Sequence, residues 1–119
     1  MSVRIVNVTF DCEDVAAAAR FWSAALGRPL DPEPTDFFAS IGLTEKDRPA
    51  GTPGLFFILV PEKKTVKNRT HLDLHSGGDR ETEIARLIGL GAKRIADRDE
   101  FGHSWTVMND PEGNEFCIS

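Results

Sequence analysis

The feature that most restricts what this chain can fold into is a strand–helix pattern that occurs twice at one fixed offset. Residues 4–12, Arg-Ile-Val-Asn-Val-Thr-Phe-Asp-Cys, set Val6, Val8 and Phe10 against Asn7, Thr9 and Asp11. Period-2 alternation of this kind marks a half-buried strand. From Asp14 the period lengthens, and Val15, Ala18, Ala19, Trp22 and Leu26 fall on one stripe of a helix. Asp14, or Glu13 beside it, suits the helix start, and Gly27 can end it. Downstream, His71–His75 alternates again, Gly77-Gly78 turns, Asp79 offers a cap, and Ile84, Leu87 and Ile88 form a second stripe ending at Leu90-Gly91. The step from Asn7 to His71 and the step from Gly27 to Gly91 are both 64 positions. Shared type, order and spacing indicate an internal duplication.

Short strand candidates follow each helix. In the first half they are a weak one near Pro29-Leu30, then Phe37–Ile41 and Leu55–Val60. In the second they are Lys93–Ala96, Ser104–Met108 and Glu115–Ile118. Asp110-Pro111-Glu112-Gly113-Asn114 has the composition of a tight turn. The polar stretch 44–54 reads as an exposed loop. The expected fold class is therefore α+β, with two βαβββ modules forming a curved mixed sheet around a concave pocket. One domain is expected over 1–119, with module one at 1–60, a connector at 61–69 and module two at 70–119.

Bulk chemistry narrows the function classes. Nineteen acidic against fourteen basic residues leave a net charge of −5, which disfavours nucleic acid as a partner. The basic run Lys63, Lys64, Lys67 and Arg69 reads as a solvated connector. No apolar run approaches the roughly 20 residues of a membrane span. The N-terminus lacks the charged and apolar regions of a secretory signal, and two cysteines in strand-like segments read as buried thiols. The expectation is a cytoplasmic protein without membrane contact.

Alternation places Asn7, Thr9 and Asp11 on the sheet face away from the helices, and likewise His71, Asp73 and His75. Glu115 and Cys117 alternate with Phe116 and Ile118 and join that face. An antiparallel sheet routinely leaves one face wet, so each of these residues alone has a plain solvent-facing reading. Together, on a sheet that curls, they would line a cleft with a histidine, acids and a thiol. His103 beside Gly102 reads as a surface loop residue. Trp22 reads as helix core, and Trp105 as either core or pocket wall.

Asn7-Val8, the helix through Phe21-Trp22 to Leu26-Gly27, His71-Leu72-Asp73-Leu74, Leu90-Gly91-Ala92 and Asp110-Pro111-Glu112-Gly113-Asn114 together resemble the vicinal oxygen chelate superfamily. That superfamily includes glyoxalase I, bleomycin resistance proteins and extradiol dioxygenases, and the chain is most similar to its glyoxalase-like branch. The resemblance implies four metal-binding positions. The first falls on Asn7, and the second falls within the apolar run 55–59. The third falls on His71, and the fourth on Cys117, where glutamate is usual. His71 is thus the only position-matched ligand, with Cys117 and Glu115 as the other donors in reach. A catalytic zinc site takes three protein ligands, so no cofactor is expected, and a divalent metal is the minority reading.

The implied function is a glyoxalase-like small-molecule pocket protein, read as a metal-independent enzyme on an unidentified metabolite. His71 would be its acid–base residue. Asn7, Thr9, Ile58, Asp73, Trp105, Glu115 and Cys117 would line the pocket. The alternative is a bleomycin-resistance-like protein that sequesters a cationic or aromatic ligand without chemistry. The resemblance also implies a homodimer.

Overall fold

The computed structural model describes residues 2–43 and 51–119. The fold is α+β, with two helices and two mixed sheets of three and four strands among the described residues. The chain divides into two compact units, 1–63 and 64–119, so the boundary lies inside the expected connector.

The first unit runs β1 (Asn7–Cys12), α1 (Val15–Leu26), β2 (Phe38–Ile41) and β3 (Gly54–Leu59). Its sheet order is β1-β3-β2, with β1 parallel and β2 antiparallel to the central β3. The Asp14 side chain accepts the Ala17 N–H at 3.1 Å, and Gly27 ends the helix at φ 63°, a left-handed value that glycine adopts without strain. Phe10 stacks on Trp22 and on Phe57, both at 5.4 Å between ring centres. Trp22 is 1 % exposed and Phe57 fully buried, so α1 covers the expected face of β1. Burying aromatic rings of this size dominates the energetics of so small a core.

Two expectations for this unit change. β1 begins at Asn7 rather than residue 4, leaving Ile5 exposed and Val6 about half so. The strand expected near Pro29-Leu30 does not form among the described residues, and the observed order is βαββ. Pro29, Pro32 and Pro34 carry no N–H for a ladder. The segment is held instead through Asp31, whose N–H donates to the Ser40 carbonyl at 2.8 Å. Its carboxylate accepts from the Ser40 hydroxyl and the N–H groups of Gly42 and Leu43. Residues 44–50 of the expected loop lie outside the described residues, and Gly54 already belongs to β3.

The second unit completes the βαβββ pattern: β4 (Leu72–Leu74), α2 (Arg80–Gly89), β5 (Lys93–Glu100), β6 (His103–Asn109) and β7 (Glu115–Ile118). The sheet order is β4-β7-β6-β5, with β4 parallel to β7 and the other pairs antiparallel. Asp79 caps α2 by accepting the Thr82 N–H at 3.0 Å. Ile84 and Leu87 of α2 are buried, as are Met108, Phe116 and Ile118 of the sheet.

β5 is longer than expected because its last residues, Asp97–Glu100, are charged and carry no strand signature. As the sheet's edge strand it tolerates them, since edge charges also discourage pairing with another chain. A two-residue turn at Phe101-Gly102, with φ 55° and 76°, closes the hairpin to β6. The turn at 110–114 forms as its composition indicates. The buried Asp110 carboxylate accepts the N–H groups of Glu112 and Asn114 at 2.9 and 2.8 Å.

Candidate functional site

A cavity of about 450 Å³ opens on the β4-β7-β6 part of the second unit's sheet. That volume is within the range that holds small organic ligands. His71, Asp73, His103, Ser104, Trp105 and Cys117 supply its polar and aromatic wall, and Leu74 and Ile118 contribute apolar surface.

Two strands bring its chemistry together. His71 and Asp73 are two residues apart along the β4 segment and so share a face. Parallel pairing sets Asp73 directly opposite Cys117 of β7. His71 Nδ1 lies 3.3 Å from Asp73 Oδ1 and 3.9 Å from Cys117 Sγ. The carboxylate is the stronger acceptor of the two, so its charge favours a ring proton on Nδ1 and a lone pair on Nε2.

Cys117 is only 6 % exposed. Burial raises its thiol pKa, and the nearby Asp73 charge and hydrogen bond raise it further, against a smaller opposing effect from Lys67. A nucleophilic cysteine needs the reverse, a lowered pKa. Histidine and aspartate also meet at the same ring nitrogen that faces the sulfur, so the trio is not a nucleophile–base–orienter relay.

The other expected pocket residues are placed differently. Glu115 shares the face of Cys117 but lies outside the cavity wall. Its carboxylate takes the Lys64 ammonium at 2.9 Å and the Asn68 N–H at 3.0 Å. Burial alone would raise its pKa, but the bonds from Lys64 and Asn68 outweigh it and hold the carboxyl below its ordinary range. The second half of the basic connector is therefore pinned to the 110–114 turn rather than freely solvated, and Asn68 also donates to Asn114 at 2.9 Å. Asn7, Thr9 and Ile58 belong to the first unit's sheet. Asn7 donates its amide to the Thr9 hydroxyl at 3.0 Å, and Ile58 pairs with Asp11 across β1 and β3. Trp105 lines the cavity, which settles the choice left open above.

His103, read as a surface loop residue, is exposed as expected but lies in a strand rather than a loop. It opens β6 and borders the cavity. The available signal was its spacing of two from Trp105, which puts both on one strand face.

The resemblance implies a metal held from both modules, and the donors can be tested against it. The Asn7 amide nitrogen donates to Thr9 and its neutral amide oxygen is a poor ligand for a transition metal, and the β3 run Leu55–Leu59 offers only apolar side chains. Two of the four implied positions therefore lack a competent donor, and the residues do not fit that site. Within the second unit alone, His71, Asp73 and Cys117 admit a metal ion, their ligand atoms lying within 4.8 Å of one another.

Comparison with known proteins agrees with this fold. No curated protein matches the chain in sequence. A glyoxalase-related enzyme from Fulvimarina pelagi is similar in structure, with TM-score 0.72, 19% identity, and coverage of 98% of this chain and 87% of that one. A mutant fosfomycin resistance protein, FosX, from Listeria monocytogenes, solved with Mn(II) and 1S,2S-dihydroxypropylphosphonic acid, matches with TM-score 0.77 and 11% identity. It covers 99% of this chain and 90% of its own. The oxidase ChaP-H2 matches with TM-score 0.69 and 21% identity over 99% of this chain and 93% of that one. At such identities the likeness concerns the fold. The family model described as "Glyoxalase-like domain" matches residues 7–119. Strand pattern and family model converge: the chain belongs to the glyoxalase-like domain family.

Proposed function

We propose that the cavity of the second unit binds a small organic metabolite and that His71 moves a proton on it, without the four-ligand metal of the wider superfamily. The observation that carries this reading is the close pair of His71 and Asp73 on the cavity wall, with Nδ1 3.3 Å from Oδ1. The Asp73 charge favours the proton on Nδ1, which leaves the basic lone pair on Nε2, and proton transfer by a positioned imidazole contributes typically about 10²–10⁴-fold. Cys117, held as a neutral thiol, shapes and packs the wall. The enzymes and the oxidase among the structural neighbours support a catalytic reading in kind, without indicating the reaction.

A second reading rests on the wall itself. Trp105 and the exposed Asp73 both line the cavity and together suit a flat cation, through the ring face and the carboxylate, and a protein that only sequesters such a ligand needs no proton transfer. One experiment separates the two. Thermal-shift screening against 2-oxoaldehyde–thiol adducts and cationic antibiotics identifies a ligand, and incubation with it is then followed over time. Conversion that drops at least about 100-fold in His71→Ala supports the enzyme. Binding without conversion supports sequestration. A homodimer in a reducing, cytoplasmic setting belongs to the same reading. The buried thiols Cys12 and Cys117 support the compartment, and sedimentation would test the dimer.

A further inference from the structure

We infer that the ligand of this cavity is a flat organic anion, its carboxylate or phosphate group bound by Arg98 and its apolar plane laid against Trp105. The inference rests on the reading of the cavity as a small-molecule site, and adds the ligand's charge and the residue that selects it.

β5 breaks register within its length. Lys93 and Arg94 oppose Asn109 and Met108, but the next pair is Ala96 with Val107, so Ile95 is an extra residue in the strand. Directly opposed residues share a sheet face. Arg94 thus lies on the helix side with buried Met108, and it donates to Glu81 of α2 at 2.8 and 2.9 Å. Unbroken alternation would send Ala96 and Arg98 to that side as well. The bulge reverses them, and Arg98 comes to oppose Trp105 on the face where the cavity opens. Re-aiming a side chain beside a site is a recurrent use of a bulge.

The charges around Arg98 leave it available. Arg94 is held by Glu81 and Asp97, and Lys64 by Glu115, whereas Arg98 has no acidic partner among the described residues. Glu100, two residues on along the same face, makes no ion pair with it. Opposed strand residues have Cβ atoms about 4.5–5.5 Å apart, so the guanidinium reaches a group on a molecule seated against the indole. Its planar fork matches carboxylate and phosphate alike and holds either by paired hydrogen bonds. Lys67 adds a second positive charge. It is close enough to Cys117 to favour the thiolate, and its ammonium donates to the Asn68 carbonyl at 3.4 Å rather than to a carboxylate.

Asp73 is the opposing charge, and it sets the ligand's direction. It stands on β4 while Arg98 stands on β5, the two edges of the order β4-β7-β6-β5. Three strand spacings, roughly 14 Å, separate those strands, with Trp105 on β6 between them. The acid group therefore points toward β5 and away from Asp73, and the opposite end of the ligand lies toward His71.

The test measures binding to the whole chain by calorimetry, without turnover, for four probes that share one ring system: naphthoate, naphthyl phosphate, naphthamide and naphthylmethylammonium. The expected result is that the anions bind at least about tenfold more tightly than the neutral amide, and the cation more weakly than the amide. Arg98→Gln lowers anion affinity at least about tenfold and leaves naphthamide unchanged, while Arg98→Lys restores part of the loss. Lys93→Gln, the same charge change at the other end of β5, alters neither. Arg98 is exposed, so its variants keep the fold. Whichever anion binds more tightly identifies the acid group as carboxylate or phosphate. Equal affinity for all four probes, tightest binding of the cation, or anion affinity unchanged in Arg98→Gln overturns the inference and leaves the cavity a small-molecule site. Failure of all four to bind overturns it as well, and the proton-transfer reading is then still decided by turnover in His71→Ala.

Discussion

The two units carry the same opening strand and helix 64 positions apart, yet their outward sheet faces differ in kind. On the first, Asn7 and Thr9 satisfy each other, and Phe56 and Ile58 fill the neighbouring strand. On the second, the corresponding His71 and Asp73 form an ion-pair-capable couple, and the partner strand contributes Cys117. The helix-facing sides stayed alike, because both must bury an apolar stripe. The duplicated scaffold thus separates the two demands: one sheet face is held by packing, while the other is free to differ between copies.

The largest effect expected from testing that contrast lies in the shared part. Trp22→Ala removes a ring that is 1 % exposed and stacked on Phe10, and should cost about 3–5 kcal/mol in denaturant unfolding. A cost under about 1 kcal/mol would mean that the aromatic cluster does not hold the first unit together. The next effect rewrites the difference. His71→Asn gives the second copy the first copy's residue. It should lower turnover of any converted ligand at least about 100-fold while shifting stability by no more than about 0.5 kcal/mol. Equal turnover would remove His71 from the chemistry.

The 110–114 turn has no counterpart in the described part of the first unit. Asp110 is 3 % exposed and accepts two backbone N–H groups, so Asp110→Ala should cost about 1–3 kcal/mol by calorimetric unfolding.

A smaller effect concerns acid stability of the second unit's edge. The Thr106 hydroxyl first, and Arg94 next, hold the Asp97 carboxyl below its ordinary 3.8. Glu81 shares Arg94, and Arg80 adds positive charge nearby. A depressed folded-state pKa stabilises above the unfolded value and loses that contribution as pH falls through the folded one. Stability should therefore decline less steeply below about pH 4 in Asp97→Asn than in the parent chain. An identical acid limb would show that the network contributes nothing. Smallest of all, Asn7→His installs the second copy's residue in the first and should change stability by less than about 0.5 kcal/mol without creating activity.

Much of the fold was legible because its signals are local. Helix stripes, the caps Asp14 and Asp79, Gly27, and the turn at Asp110 act within a few residues of themselves. The absent strand at Pro29-Leu30 was readable in principle from three nearby prolines. The long β5 was not, since Asp97–Glu100 look like a loop until an edge position accommodates them. In the site, His71 and Asp73 were legible as a pair by their spacing of two. Glu115 was misleading: alternation aims it at the right face, but a lysine 51 residues away captures it.

By itself, then, the sequence determined the duplicated strand–helix units, their buried faces and the His71–Asp73 pair, all set by periodicity and short-range hydrogen bonding. Only the tertiary structure decided that Cys117 lies opposite Asp73, that His103 and Trp105 wall the same cavity, and that Glu115 is spent on the connector. Those outcomes depend on strand register and pairing between distant segments, where a shift of one residue turns every side chain to the other face.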